Sequence, residues 1–259
     1  MASASDGRFL LRIEDIDLAR CTSAFEQAIY DDLAWLGLAW EKPVRRQSEH
    51  FDEYQRALDH LIRAGLAYPA FMSRGEIKAF VKLYEADGRT WQRDPDGAPL
   101  YPAVDKERPA AEVAALLSSG AQHAWRLDMA KALLRLEKPL IWQESGTGEQ
   151  TFTQADPAAW GDVVLSRPDA PSSYHLSVVL DDALQSVTHV VRGMDLFAAT
   201  SVHRLLQHLL ELPVPQYHHH RLVLDEDGRK LSKSSGSTAL QTLRVRGETP
   251  SDIRRLLGI

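Results

Sequence analysis

Residues Gly228-Arg229-Lys230-Leu231-Ser232-Lys233-Ser234-Ser235 set two lysines three positions apart, among hydroxyl side chains and just after a glycine. This composition makes a mobile cationic loop able to close over a triphosphate. An ammonium on a flexible stem follows negative charge as it moves from ground state to transition state. Taken alone, the run reads equally as a solvated basic turn. Other groups have types and positions suited to chemistry. Glu14 stands near the end of Arg8-Phe-Leu-Leu-Arg-Ile-Glu-Asp15, where a carboxylate either receives an ammonium or faces solvent. Tyr174 begins an apolar segment and serves either the core or a ligand. Arg192 closes His-Val-Val-Arg, and an arginine at the end of a buried strand needs a carboxylate or phosphate partner, a substrate's or that of Asp195. Asp181-Asp182 orients a ribose or Arg192, or is structural. His218-His219-His220 has no helical metal-ligand spacing and reads as a loop.

These groups require a scaffold. Arg8 to Asp15 reads as a buried strand delivering acids at its C-terminal end, the ligand-binding end of an open parallel sheet. A helix follows, capped by Thr22 or Ser23, with Phe25, Ile29, Leu33 and Leu36 on its apolar side and Gly37 at its end. A second runs from Ser48 to Ala64, carrying Tyr54, Leu58, Leu61 and Ile62. Prolines break up residues 66 to 160, which read as an inserted α+β domain. Gly161 to Arg167 reads as a strand returning to the main sheet, and His175 to Leu180 as buried and apolar in a strand begun by Tyr174. Thr188 to Arg192 is a strand, Ala198 to Leu212 an amphipathic helix, and Arg221 to Leu224 the last strand before the lysine loop. Thr249 to Leu257 is a short terminal helix with Pro250 in its first turn.

The composition, 44% apolar and 25% charged over 259 residues, is that of a globular protein. No apolar run reaches the roughly 18–20 residues of a membrane span, and the start has no secretory pattern. The one cysteine, Cys21, excludes an intrachain disulfide framework and a multi-cysteine zinc site. A cytoplasmic location is expected. The net charge of −6 argues mildly against nucleic-acid binding. The segment from Arg221 onward is nevertheless net basic, and screening confines a polyanion's interaction to about 8–10 Å, so a local patch suffices.

Leu-Leu-Arg-Ile-Glu-Asp-Ile-Asp, Tyr-His-Leu with Asp181-Asp182, Val-Val-Arg-Gly and Lys-Leu-Ser-Lys-Ser, in this order, resemble the glutamyl subgroup of class I aminoacyl-tRNA synthetases, the last being similar to its KMSKS loop. The resemblance covers nearly the whole chain. Its nearest branch is the shortened one of glutamyl-Q tRNA(Asp) synthetases. Arg192-Gly-Met-Asp-Leu is similar to that branch's Arg-Gly-x-Asp-Leu, and the chain leaves no room for an anticodon-binding domain before Ile259. The resemblance implies an α/β fold, a Rossmann-like parallel sheet with an inserted α+β domain. Residues 1–66 and 161–238 are then the catalytic domain, 67–160 an inserted acceptor-binding-like domain and 239–259 a helical tail. It implies that Glu14 holds the α-ammonium of L-glutamate, that Tyr174 contacts the amino acid and that Arg192 binds a carboxylate. Lys233 and Lys230, with Ser232 and Ser234, bind ATP, the lysines acting catalytically on the leaving pyrophosphate. ATP with Mg2+ activates glutamate, which passes to queuosine in tRNA(Asp), on a monomer. Rival readings are a fragment of a glutamyl-tRNA synthetase charging tRNA(Glu), and a non-catalytic synthetase-like protein binding tRNA or glutamate.

Two features depart from the family. The Arg-Phe-Ala-Pro-Ser-Pro-x-Gly strand and the helix with the HIGH motif are absent, so Met1 is expected to lie inside that helix and the true start upstream. A chain begun at Met1 is expected to be weakly stable and inactive in adenylation. The family's zinc cysteines are replaced by Ala70, Met72 and Asp105, with Tyr101 retained. Zinc wants four N or S donors, so none is expected.

Overall fold

The computed structural model describes residues 2–146, 148–224 and 240–258. Its helices and strands, in chain order, are β1 (Arg12–Ile13), α1 (Ser23–Trp35), β2 (Arg45–Arg46), α2 (Phe51–Arg63), β3 (Ala67–Ala70), α3 (Arg74–Ala86), α4 (Ala110–Ser118), β4 (Ala124–Leu127), α5 (Met129–Leu133), β5 (Ile141–Glu144), β6 (Thr151–Gln154), β7 (Val164–Ser166), α6 (Tyr174–Leu184), β8 (His189–Gly193), α7 (Thr200–Leu209), β9 (Gln216–His220), α8 (Leu240–Val245) and α9 (Pro250–Leu257). They form two compact units, Met1–His50 with Arg221–Ile259, and Phe51–His220.

In the first unit, β1 and β2 form a parallel pair, Arg12 opposite Arg45 and Ile13 opposite Arg46. The expected strand over Arg8 to Asp15 is thus confined to two residues, because a strand extends only as far as its partner. Beyond it, the buried Asp15 carboxylate accepts from the Ser48 backbone N–H at 2.8 Å and hydroxyl at 2.6 Å. Thr22 caps α1 by accepting from the Phe25 N–H. The apolar side of α1 is less covered than its spacing suggests, since Phe25 is 54% exposed. Periodicity shows which face is apolar, not that a neighbour covers it. The tail docks on this helix: Arg244 and Arg254 donate to the carbonyls of Asp31 and Leu36. Thr249 and Asp252 close a reciprocal cap on α9, as Thr249-Pro250 predicts.

The second unit holds two sheets. β3, β4 and β7 form an antiparallel sheet, with Tyr68 opposite Arg126 and Trp125 opposite Ser166. β7 therefore pairs with β4 and does not return to the main sheet as expected; its apolar character marks it as buried without naming its neighbour. The other sheet runs β6-β5-β9-β8, with β5, β9 and β8 parallel and β6 antiparallel on the edge. Three further expectations differ from the structure. The histidine triplet is strand, the last three residues of β9, and residues 221–223, read as a strand, lie outside one. Tyr174 opens helix α6, capped by Ser173, and not a strand.

Leu58 and Leu61 of α2, Leu127, Leu165, Leu176 of α6, and Leu205 and Leu206 of α7 are each no more than 1% exposed and share one core. Helix α7 is buried from Thr200 to Gln207, so its polar residues need partners inside. Asp181 is likewise fully buried on α6, where both its oxygens accept from the Tyr54 hydroxyl of α2, at 2.9 and 3.0 Å. These bonds fit the structural reading of Asp181. Tyr54→Phe takes a donor from a buried carboxylate and is expected to cost about 1.5–3 kcal/mol, measurable by urea unfolding.

Candidate functional site

The carboxyl ends of the parallel strands carry Glu144 on β5, Arg192 on β8 and His219 on β9. In open sheets this is the end where ligands bind. The first turns of α6 and α7 add Tyr174, His175, Thr200 and His203. β9 alternates, so Tyr217 and His219 both point inward while His218 and His220 do not share that face.

Arg192 is 9% exposed, and all its donors are engaged. Nε donates to His219 Nε2 at 3.0 Å. One terminal nitrogen reaches His203 Nδ1 at 3.0 Å and, at 3.5 Å, the Tyr174 hydroxyl. The other donates to Thr200 Oγ1 at 2.7 Å and the Leu196 carbonyl at 3.3 Å. Among the described residues none of these partners is a carboxylate, Asp195 included. The guanidinium also lies over the Tyr217 ring, 5.2 Å from its centroid. Negative charge enters the network one residue further on. His219 Nδ1 meets Glu144 Oε2 at 2.6 Å, and Glu144 Oε1 accepts from the backbone N–H groups of His219 and Gly146, both at 2.9 Å. A Cβ on Gly146 would stand 2.1 Å from the His219 carbonyl oxygen, so glycine is required where this turn meets β9.

The bonding fixes the imidazole tautomers. A guanidinium only donates, so His219 Nε2 and His203 Nδ1 are acceptors. His219 then carries its proton on Nδ1, toward Glu144. His203 carries it on Nε2, which donates to His175 Nδ1 at 3.1 Å. The environment agrees. Burial lowers the pKa of all three, His175 to about 4, and the Arg192 charge adds to this. Burial raises Glu144, but bonds from the His219 backbone and ring, Gly146 and Trp142 reverse this and hold it down at about 2.

This has a consequence for stability. Unfolded, the three imidazoles titrate near pH 6.5; folded, they stay neutral to lower pH. Below 6.5 the unfolded chain binds more protons, so stability is complete above that pH and falls as pH drops toward 4. Between its unfolded and its lowered folded pKa, each histidine contributes a slope of at most about 1.4 kcal/mol per pH unit. Glu144 adds no slope here, because its stabilisation is lost only from pH 4.5 downward, through about 2. Unfolding midpoints in urea are expected to fall steeply between pH 7 and pH 5. A flat profile would contradict the neutral burial.

Of the residues expected at a site, the structure brings together Tyr174 and Arg192. Glu14 belongs to the other unit, 42% exposed at its side chain and 3.3 Å from Arg12. Lys230, Ser232, Lys233 and Ser234 lie outside the described residues. Glu144, Thr200, His203 and His219 escaped sequence reasoning. At the positions of the family's zinc cysteines, the residues do not fit zinc. Ala70 and Met72 offer no thiolate. The Asp105 carboxylate accepts from the Phe71 N–H at 2.9 Å, from Arg108 at 2.6 Å and from the Tyr101 hydroxyl. Among the described residues, no three His, Cys, Asp or Glu side chains gather where a metal ion would sit, and no helix is long and apolar enough to cross a membrane.

Residues 1–257 match the model of the catalytic domain of tRNA synthetases class I (E and Q). The chain is 43% identical, over its whole length and 91% of the other's, to the Glutamyl-Q tRNA(Asp) synthetase of Rhodobacter capsulatus. It is 34% identical to the Glutamate–tRNA ligase of Prochlorococcus marinus, over 94% of this chain and 49% of that one. Among solved structures, a glutamate tRNA ligase from Elizabethkingia meningosepticum, in complex with its amino acid, superposes with a TM-score of 0.71 at 26% identity. That match covers 89% of this chain and 46% of the other. The chain thus spans about half the length of these glutamate–tRNA ligases.

Proposed function

The chain belongs to the class I tRNA synthetase family for glutamate and glutamine, as a ligase of mixed α/β fold with a parallel sheet, and on that footing we propose that it activates L-glutamate with ATP and passes the glutamyl group to queuosine in tRNA(Asp). The observation that carries the glutamate reading is Arg192. A buried guanidinium at the ligand end of a parallel sheet, with no carboxylate among its partners in the described residues, suits an anionic substrate. Its longest bond, to Tyr174 at 3.5 Å, is the one a substrate carboxylate exchanges most cheaply.

In this reading Arg192 and Tyr174 hold a carboxylate of glutamate, and Glu14 receives the ammonium. A glutamate carboxylate oxygen attacks the α-phosphorus of ATP, the bond to the β-phosphate bridge breaks, and pyrophosphate leaves. Lys233, supported by Lys230, Ser232 and Ser234, neutralises the charge growing on that leaving group. Magnesium enters as counter-ion of the triphosphate. Residues 67–160 serve as an acceptor-binding-like domain inserted between the catalytic parts 1–66 and 161–238, and 239–259 as a helical tail. The protein acts as a monomer in the cytoplasm. The queuosine branch is supported by the relative matched over 91% of its length and by Arg192-Gly-Met-Asp-Leu. The second reading, charging of tRNA(Glu), is favoured by the match to glutamate–tRNA ligases.

Glutamate-dependent exchange of pyrophosphate into ATP, run without tRNA, tests the activation step. In the protein expressed from its natural reading frame, exchange is expected with L-glutamate and not with L-glutamine. Equal exchange with both would exclude Arg192 as the group that reads the side-chain carboxylate.

A further inference from the structure

We infer that Glu144 and His219 are positioning residues for Arg192: the carboxylate fixes the imidazole as its Nδ1–H tautomer, and the bare Nε2 then aims the guanidinium at the substrate. This deepens the glutamate reading and rests on it.

The geometry is directional at each step. Glu144 is 4% exposed and His219 fully buried, so neither exchanges its partner with water. The carboxylate takes the ring proton at 2.6 Å on one oxygen and the His219 backbone N–H at 2.9 Å on the other. Ring and backbone of one residue are thereby clamped by one carboxylate. The Trp142 indole N–H at 3.2 Å holds the oxygen that faces the ring. On the far side, His219 Nε2 receives Arg192 Nε at 3.0 Å. The ring is stacked on Tyr217, 4° from parallel, which sets its plane.

The arrangement also separates charges. A carboxylate in direct contact with Arg192 would compete with an anionic substrate for the same donors. With an imidazole between them, Glu144 supports the cation without occupying its terminal nitrogens. Among the described residues those nitrogens are held by neutral groups: His203, Thr200, Tyr174 and the Leu196 carbonyl.

Isosteric Glu144→Gln tests this, because an amide nitrogen in place of Oε2 donates to His219 Nδ1. The ring proton is then driven to Nε2, where it faces the Arg192 Nε–H, donor against donor. His219→Gln retains an acceptor for Arg192, whereas His219→Leu removes it. The readouts are Kd values for L-glutamate and ATP, thermal unfolding, and ring-nitrogen spectra of the 15N-histidine-labelled protein. We expect the Nδ1–H tautomer in the wild type and a shifted tautomer in E144Q. The Kd for glutamate should rise at least about tenfold in E144Q and H219L and less than about threefold in H219Q, with ATP binding unchanged. Variants that melt earlier yet bind glutamate as the wild type does would make the pair merely structural and overturn the inference. A wild type that binds ATP but no glutamate would remove the functional reading itself, and this proposal with it.

Discussion

Arg192→Gln is expected to lower kcat/KM for L-glutamate in pyrophosphate exchange by a factor of about 10²–10³, the cost of removing a desolvated, charge-bearing recognition group. The effect should fall mainly on glutamate, with the KM for ATP little changed. Arg192→Lys should fare nearly as badly. One ammonium cannot replace a planar fork that reaches His219, His203 and Thr200 at once. Folding should suffer less than catalysis, since the substitution also relieves the protein of a buried charge. Wild-type kinetics in R192Q would remove Arg192 from the substrate site and leave it a structural residue.

The second large effect is expected at the loop. Lys233→Ala should reduce kcat for adenylate formation by a factor of about 10²–10³, the usual loss when one charge-stabilising donor is taken from a transition state. Lys230→Ala should cost less, since its role is to support. In both, the KM for glutamate should hold, because the amino acid meets other residues. Rapid-quench measurement of adenylate separates the chemical step from product release. A change confined to the KM for ATP would assign the lysines to ground-state binding only. This expectation comes from Lys-Leu-Ser-Lys-Ser in the sequence, since the loop lies outside the described residues.

Where local signals and tertiary partners agreed, the sequence was readable. α2, α7 and α9 each join an apolar stripe to a clear stop or cap, at Gly65, at the turn after Leu209, and at Thr249-Pro250. Tyr174 and Arg192 were both legible as residues, and the structure sets them side by side. The element bearing Tyr174 was not, because His175 to Leu180 is apolar all along and periodicity cannot separate a buried helix turn from a buried strand. Ser173, whose hydroxyl accepts from the Leu176 N–H, was the available signal for a helix. His218-His219-His220 looked like a loop because imidazoles are rarely counted as core. Yet Tyr217 and His219 alternate with their neighbours, a period of two. Glu144 was hidden for a different reason. A buried carboxylate becomes tolerable only with donors brought from β9, and that pairing is a product of the fold.

The destination of the glutamyl group separates the two readings of this chain. Labelled L-glutamate, ATP and the protein expressed from its natural reading frame should be incubated with tRNA(Asp) with and without queuosine, and with tRNA(Glu). Label is expected on queuosine-bearing tRNA(Asp) alone, stable when the acceptor end is trimmed away. Label at the acceptor end of tRNA(Glu), with none on tRNA(Asp), would contradict this and make the chain a charging enzyme.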